Sequence, residues 1–201
     1  MGLSVNRLAL PLVEEMIRRR EELRIRVERT REGATVIDAG VNVQGGYFAG
    51  RFLTEICLGG LGQANLDSAD YGGFVLPTIS VFTDLPGISL LGSQFAGWRI
   101  SLDRYFAMGS GPGRALALKP KELYAKIDYR DESDVAVVVL EAEEKPPPEA
   151  LEFIAKECGV APKGLYVLVA PTSSLAGSVQ ISGRIAEMGL HKLTEVGFDP
   201  K

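Results

Sequence analysis

Asp134-Val135-Ala136-Val137-Val138-Val139-Leu140 and Leu165-Tyr166-Val167-Leu168-Val169-Ala170 are continuous apolar runs. A run without polar alternation is what a strand buried on both faces requires, as in a parallel sheet. Between the two, Pro146-Pro147-Pro148 opens a segment whose Leu151, Phe153 and Ile154 lead to Gly159, which reads as a helix closed by glycine. The second run feeds Pro171-Thr172-Ser173-Ser174-Leu175-Ala176-Gly177-Ser178-Val179-Gln180-Ile181-Ser182-Gly183-Arg184-Ile185-Ala186-Glu187-Met188-Gly189-Leu190-His191-Lys192-Leu193. This stretch reads as one helix, with Ser173 or Ser174 capping its first amides. Strand, helix, strand, helix from Asp134 to Glu195 favours a parallel crossover and an α/β fold.

The long C-terminal helix is poor in intrinsic propensity, since each glycine costs about 1 kcal/mol against alanine. Tertiary packing must hold it. Gly177, Gly183, Ala186 and Gly189 form a thin stripe that lets a neighbouring backbone approach. Gln180, Arg184, Glu187 and His191, spaced four, three and four residues apart, share one side. An Arg/Glu pair at this spacing is either a solvated surface pair worth a few tenths of a kcal/mol or a poised site.

Working outward, Ser4-Val5-Asn6 caps a helix running to about Arg20 through Leu8, Leu12, Met16 and Ile17. Leu23, Ile25 and Val27 alternate with charges and predict a half-exposed strand, which Arg31-Glu32-Gly33 turns into Ala34–Asp38. Gly40–Gly46 is a loop, Tyr47–Cys57 a helix closed by Gly59-Gly60, and Pro77–Thr83 a strand. Ile88–Phe95 predicts a short helix, Trp98–Leu102 a strand, and Gly109–Gly113 a second irregular loop. Either glycine loop has the chemistry to present backbone amides to an anion or simply to turn. Neither carries a complete dinucleotide or phosphate-loop motif: Arg114 stands where a third glycine belongs. Asp38 and Asp84 fall at strand ends, as cleft residues or as turn caps. Trp98, Tyr47 and Cys57 read as core.

Composition excludes several classes. The 201 residues carry net charge −4, which argues against nucleic acid as partner. No stretch reaches the roughly 18 apolar residues of a membrane span, and no signal peptide is visible, so a soluble protein is expected. Two distant cysteines, Cys57 and Cys158, fit reduced buried thiols of a cytoplasmic protein, and a single histidine leaves no His-based zinc site.

Several segments together carry a resemblance: Ala34–Val43 with Gly45-Gly46-Tyr47, Cys57–Leu61, Leu91-Gly92-Ser93-Gln94 with Ala96-Gly97-Trp98, Gly109-Ser110-Gly111-Pro112 with Arg114-Ala115, and Gly177–Ser182 with Arg184 and Glu187. In this order they resemble methenyltetrahydromethanopterin cyclohydrolase, a family of methanogenic and sulfate-reducing archaea and methylotrophic bacteria. The resemblance implies a cytoplasmic homotrimer of two-lobed α/β subunits with a mixed sheet, the pterin lying in the cleft between lobes. It implies interconversion of 5,10-methenyl- and N5-formyl-tetrahydromethanopterin, with tetrahydromethanopterin as the C1 carrier and no metal. Arg184 and Glu187 then handle the attacking water, and Asn42, Ser93, Gln94, Gly111 and Gln180 are candidates for substrate binding. Residues 1–145 would form an N-terminal lobe with the glycine-rich loops and 146–201 a partial second lobe carrying the site helix, unless the whole is a single domain. Family chains continue beyond the position of Lys201, and Phe95 stands where some members carry a basic residue. Two competing readings are a shortened relative that binds pterin or oligomerises without turnover, and an unrelated α/β protein whose glycine loops take a phosphorylated metabolite.

Overall fold

A computed structural model describes residues 2–200. The elements are α1 (Val5–Arg18), β1 (Arg26–Arg29), β2 (Thr35–Asp38), α2 (Tyr47–Cys57), β3 (Gly62–Asp70), β4 (Val75–Thr83), a π-helix (Gly87–Gln94), β5 (Trp98–Leu102), β6 (Tyr105–Ser110), α3 (Arg114–Ala117), α4 (Lys121–Ile127), β7 (Ala136–Glu141), α5 (Pro148–Cys158), β8 (Leu165–Val169), α6 (Leu175–Ser182) and α7 (Ile185–Glu195).

Six strands form one mixed sheet in the order β1-β2-β8-β7-β6-β5. β2, β8 and β7 are mutually parallel, while β1 and the β5–β6 hairpin add antiparallel edges. The two apolar runs are the sheet's adjacent parallel strands, β7 and β8. Successive β7 side chains divide between its faces: Val138 and Leu140 pack with Leu151 and Ile154 of α5, whereas Val137 and Val139 pack with Val13, Phe52 and Leu53 of α1 and α2. Burial on both faces is why no polar alternation survives in β7, and each such side chain contributes about 1.5–3 kcal/mol.

α1 is set by Ser4, whose Oγ accepts from Arg7 N at 3.3 Å, and by Ala9, Val13 and Met16 at helical spacing on the buried face. Asn6 ties this helix to the sheet. Its Nδ2 donates to Pro112 O (2.9 Å) and to Asp131 Oδ2 (2.7 Å), and its Oδ1 accepts from Val137 N (2.9 Å). α2 ends at Gly59-Gly60, both at positive φ. A side chain at Gly60 would stand 2.5 Å from Leu8 O, so the pair both stops α2 and lets α1 pass.

The predicted and observed elements differ in definite ways. β1 starts only at Arg26, because Arg24 takes a left-handed conformation (φ 57°) that ends the preceding turn. The Gly109–Gly113 stretch is not all loop: Gly109 and Ser110 complete β6, which does precede the glycines, and α3 follows at Arg114. Tyr47 is exposed, not core, whereas Trp98 and both cysteines are buried. The helix through Arg184 is two helices, separated at Gly183-Arg184. No helix among the described residues is long and apolar enough to cross a membrane.

Candidate active site

The break between α6 and α7 creates the site. Arg184 is the N-cap residue of α7 and Glu187 lies in its first turn, where the helix dipole favours a carboxylate. The two side chains turn inward, 6% and 2% exposed. Arg184 Nε and Nη2 each lie 3.3 Å from Glu187 Oε2, and Nη2 also donates to Gln94 O at 2.9 Å. Gln94 returns the contact through Nε2, which donates to Gly183 O at 3.1 Å. The pair is therefore buried and locked to the end of the π-helix, and the solvated-surface reading fails.

A polar shell surrounds it. Gln180 Nε2 lies 3.5 Å from Cys57 Sγ, which in turn lies 3.5 Å from Ser110 Oγ. Gly111 N donates to Ser93 O at 2.9 Å. Ser93 Oγ, Gln94 Oε1 and Arg114 Nη2 are buried without a hydrogen-bond partner among the described residues. Ser93, Gln94, Gly111 and Gln180 are thus brought around Arg184 and Glu187, while Asn42 is exposed in the loop after β2. Arg114 is the buried group that spacing did not single out. The available signal was an arginine immediately after the glycines that end a strand.

Burial pushes the Glu187 carboxyl above its ordinary range, against the opposing pull of Arg184, Arg114 and His191. A carboxylate raised in this way is a stronger base than a solvated one. Burial likewise pushes the Cys57 thiol up, so it stays protonated and acts as packing. His191 is half-buried and stacks on Phe95, with ring centroids 4.4 Å apart.

The glycine loops are used internally. Asp38 accepts from the amides of Gly40 (3.0 Å), Val41 (2.7 Å) and Asn42 (2.9 Å), and Gly113 N donates to Val137 O (2.7 Å). Asp38 is a turn cap. Of the small-residue stripe, Gly177 and Gly183 meet neighbours, but Ala186 and Gly189 face outward. A methyl group at Gly177 would stand 2.0 Å from Pro171 O. Gly177→Ala is therefore expected to destabilise the chain by about 1–3 kcal/mol. Gly189→Ala, with nothing within 4 Å of the added carbon, should stabilise it by about 1 kcal/mol. Urea midpoints of the two variants check this: displacement in the same direction contradicts it.

A cavity of about 230 Å³ lies between α6 (Leu175, Ser178, Ser182), the β3–β4 hairpin (Leu66, Ile79) and Tyr47. Neither Arg184 nor Glu187 lines it. It is also below the roughly 300–1,000 Å³ usual for small-molecule sites. Ile185, Met188 and Leu193 of α7, and Val196 just beyond it, are exposed.

Against known proteins, residues 4–201 match the family model described as Cyclohydrolase (MCH). Methenyltetrahydromethanopterin cyclohydrolase of Methanococcoides burtonii is 49% identical over 197 residues, covering 98% of this chain and 62% of the relative. The enzyme of that name from Methanocaldococcus jannaschii is 51% identical over 196 residues, 96% of this chain and 61% of the relative. That from Methanospirillum hungatei is 48% identical over 199 residues, 99% and 63% respectively. The chain thus spans about three fifths of the length of these curated relatives. A family match over almost every residue, with relatives at about half identity, places this chain in the cyclohydrolase (MCH) family.

Proposed function

We propose that this chain carries the water-activating centre of a methenyltetrahydromethanopterin cyclohydrolase, with Glu187 as base and Arg184 as its orienting cation. The observation that carries the reading is the buried Arg184–Glu187 pair anchored on the Gln94 carbonyl. The methenyl carbon bridging N5 and N10 belongs to a delocalised amidinium cation, so the electrophile is already activated. What the protein must supply is a positioned, partly deprotonated water.

Glu187 takes a proton from water as the oxygen bonds to the methenyl carbon, and Arg184 steers the carboxylate or donates to the new oxygen. The bond from that carbon to N10 then breaks, and the proton held by Glu187 passes to N10. The hydroxyl proton of the adduct leaves as the formyl C=O forms, so cation plus water gives neutral N5-formyl product and one proton. Gln180, Ser93, Gln94 and Gly111 wall the site, and Asn42 is assigned a more distant contact with the coenzyme.

The homotrimer belongs to the same reading. Its support is the β3–β4 arm, which exposes Tyr71, Phe74, Leu76 and Phe82 and bears no charge from Tyr71 to Thr83. Such a surface calls for a protein partner. Two buried free thiols fit a reducing cytoplasm. Adding the protein to methenyltetrahydromethanopterin should abolish the absorbance of the bridged cation with saturation kinetics. Unchanged absorbance in the presence of folded protein would overturn the proposal.

A further inference from the structure

One buried charge has no part in the chemistry above. Arg114, at the start of α3, is completely buried, and among the described residues no carboxylate forms an ion pair with it. Its Nε donates to Lys119 O (2.8 Å), and its Nη1 donates to Leu91 O (3.2 Å) and Ser93 O (3.3 Å). The guanidinium also lies over the rings of Phe95 (5.2 Å) and Tyr124 (5.6 Å), and its Nη2 has no partner among the described residues. A dry, unpaired guanidinium is costly to bury unless carbonyl dipoles and a nearby anion offset the loss of water.

The location explains why it is kept. Carbonyls at the end of a helix lack partners within the helix. Here two arginines take three of the last four: Arg114 holds Leu91 O and Ser93 O, Arg184 holds Gln94 O, and Tyr124 Oη donates to Gly92 O between them. Arg184 then reaches Glu187. The connected set of Arg114, Arg184 and Glu187 contains two cations and one carboxylate, so Glu187 is the negative charge that answers both.

We infer that Arg114 is a positioning residue for Glu187, holding it ionised through its charge and fixing the Ser93-Gln94 carbonyls on which Arg184 rests. The consequence for catalysis rests on the reading of Glu187 as base; the electrostatic link does not. Arg184 contacts Glu187 directly, and the charges of Arg114 from α3 and of His191 from α7 also act on it; Cys57 of α2 is coupled to it, and the Tyr124 ring of α4 lies under the Arg114 guanidinium. Burial raises the Glu187 titration and the cations lower it. Removing the Arg114 charge must therefore raise it further.

The test is the titration of Glu187 by NMR of side-chain carboxyl ¹³C-labelled glutamate, assigned by its loss in Glu187→Gln. It is run on Arg114→Gln, Arg114→Met and Arg114→Lys, with folding checked by circular dichroism. The neutral variants should move the midpoint up, and Arg114→Lys should keep it near the parent value. The acid limb of kcat/KM should move with the midpoint, which a merely structural residue would not cause. An unmoved midpoint in a folded neutral variant overturns the inference. If neither neutral variant folds, a raised midpoint in Arg114→Lys overturns it equally, since the charge is then retained without effect. A parent chain with no turnover removes the cyclohydrolase reading and leaves the NMR result to decide the link.

Discussion

Glu187→Gln is expected to bind methenyltetrahydromethanopterin within a few-fold of the parent affinity and to lose about 10²–10⁴ in kcat. The amide matches the carboxylate in shape and still accepts from Arg184, so the contacts at 3.3 Å to Nε and Nη2 have a replacement oxygen. It has no lone pair basic enough to take a proton from water. A loss confined to kcat marks an interaction made in the transition state, whereas a rise in KM alone would mark simple substrate binding. Thermal melts must accompany the kinetics, because removing the carboxylate leaves Arg184 and Arg114 as buried cations without an answering charge. A folded Glu187→Gln protein turning over at the parent rate would remove Glu187 from the chemistry.

Asn6→Ala is expected to cost about 3–5 kcal/mol of stability, the largest effect away from the site. Asn6 is fully buried, and its amide bridges three elements: Pro112 O after β6, Asp131 ahead of β7, and Val137 N within β7. Alanine leaves the buried Val137 amide without its partner and takes one of two donors from Pro112 O, which keeps Ala115 N at 3.0 Å. It also strips the nearly buried Asp131 of one donor, leaving the Asn6 backbone amide at 3.0 Å and the Glu132 amide at 2.7 Å. Hydrogen bonds to charged groups are worth about 1.5–3 kcal/mol each, and the unpartnered amide adds to that. Urea unfolding should show a lowered midpoint with unchanged slope. A shift below 1 kcal/mol would mean that water or local movement replaces the amide.

The elements legible in the sequence were those whose residues answer to a single environment. β7 up to Leu140 and β8 are apolar because both faces of the sheet are covered, and α2 was readable from Tyr47 to Cys57 because Gly59 and Gly60 punctuate it. β3 was not legible. Its Gln63, Asn65, Asp67, Ser68 and Asp70 are exposed on an arm packed only at its base, so no apolar alternation is required. The π-helix was read as an ordinary helix. Its wider turn, with Phe95 N donating to Leu90 O, leaves no mark on composition.

The break at Gly183-Arg184 was hidden for a related reason. The spacing of Gln180, Arg184, Glu187 and His191 is uninterrupted, so periodicity continues through a point where the backbone does not. The pairing of Arg184 with Glu187 was legible all the same, since they stand three positions apart on either geometry. Their burial was not. It depends on Gln94 and Gly183, which come together only in the folded chain.

The most direct test of the central claim is a crystal structure of the Glu187→Gln protein with methenyltetrahydromethanopterin bound. It should show the carbon bridging N5 and N10 within about 3.5 Å of a water held by residue 187, with Arg184 still on the Gln94 carbonyl. A pterin seated elsewhere, with residue 187 still buried, would contradict the assignment.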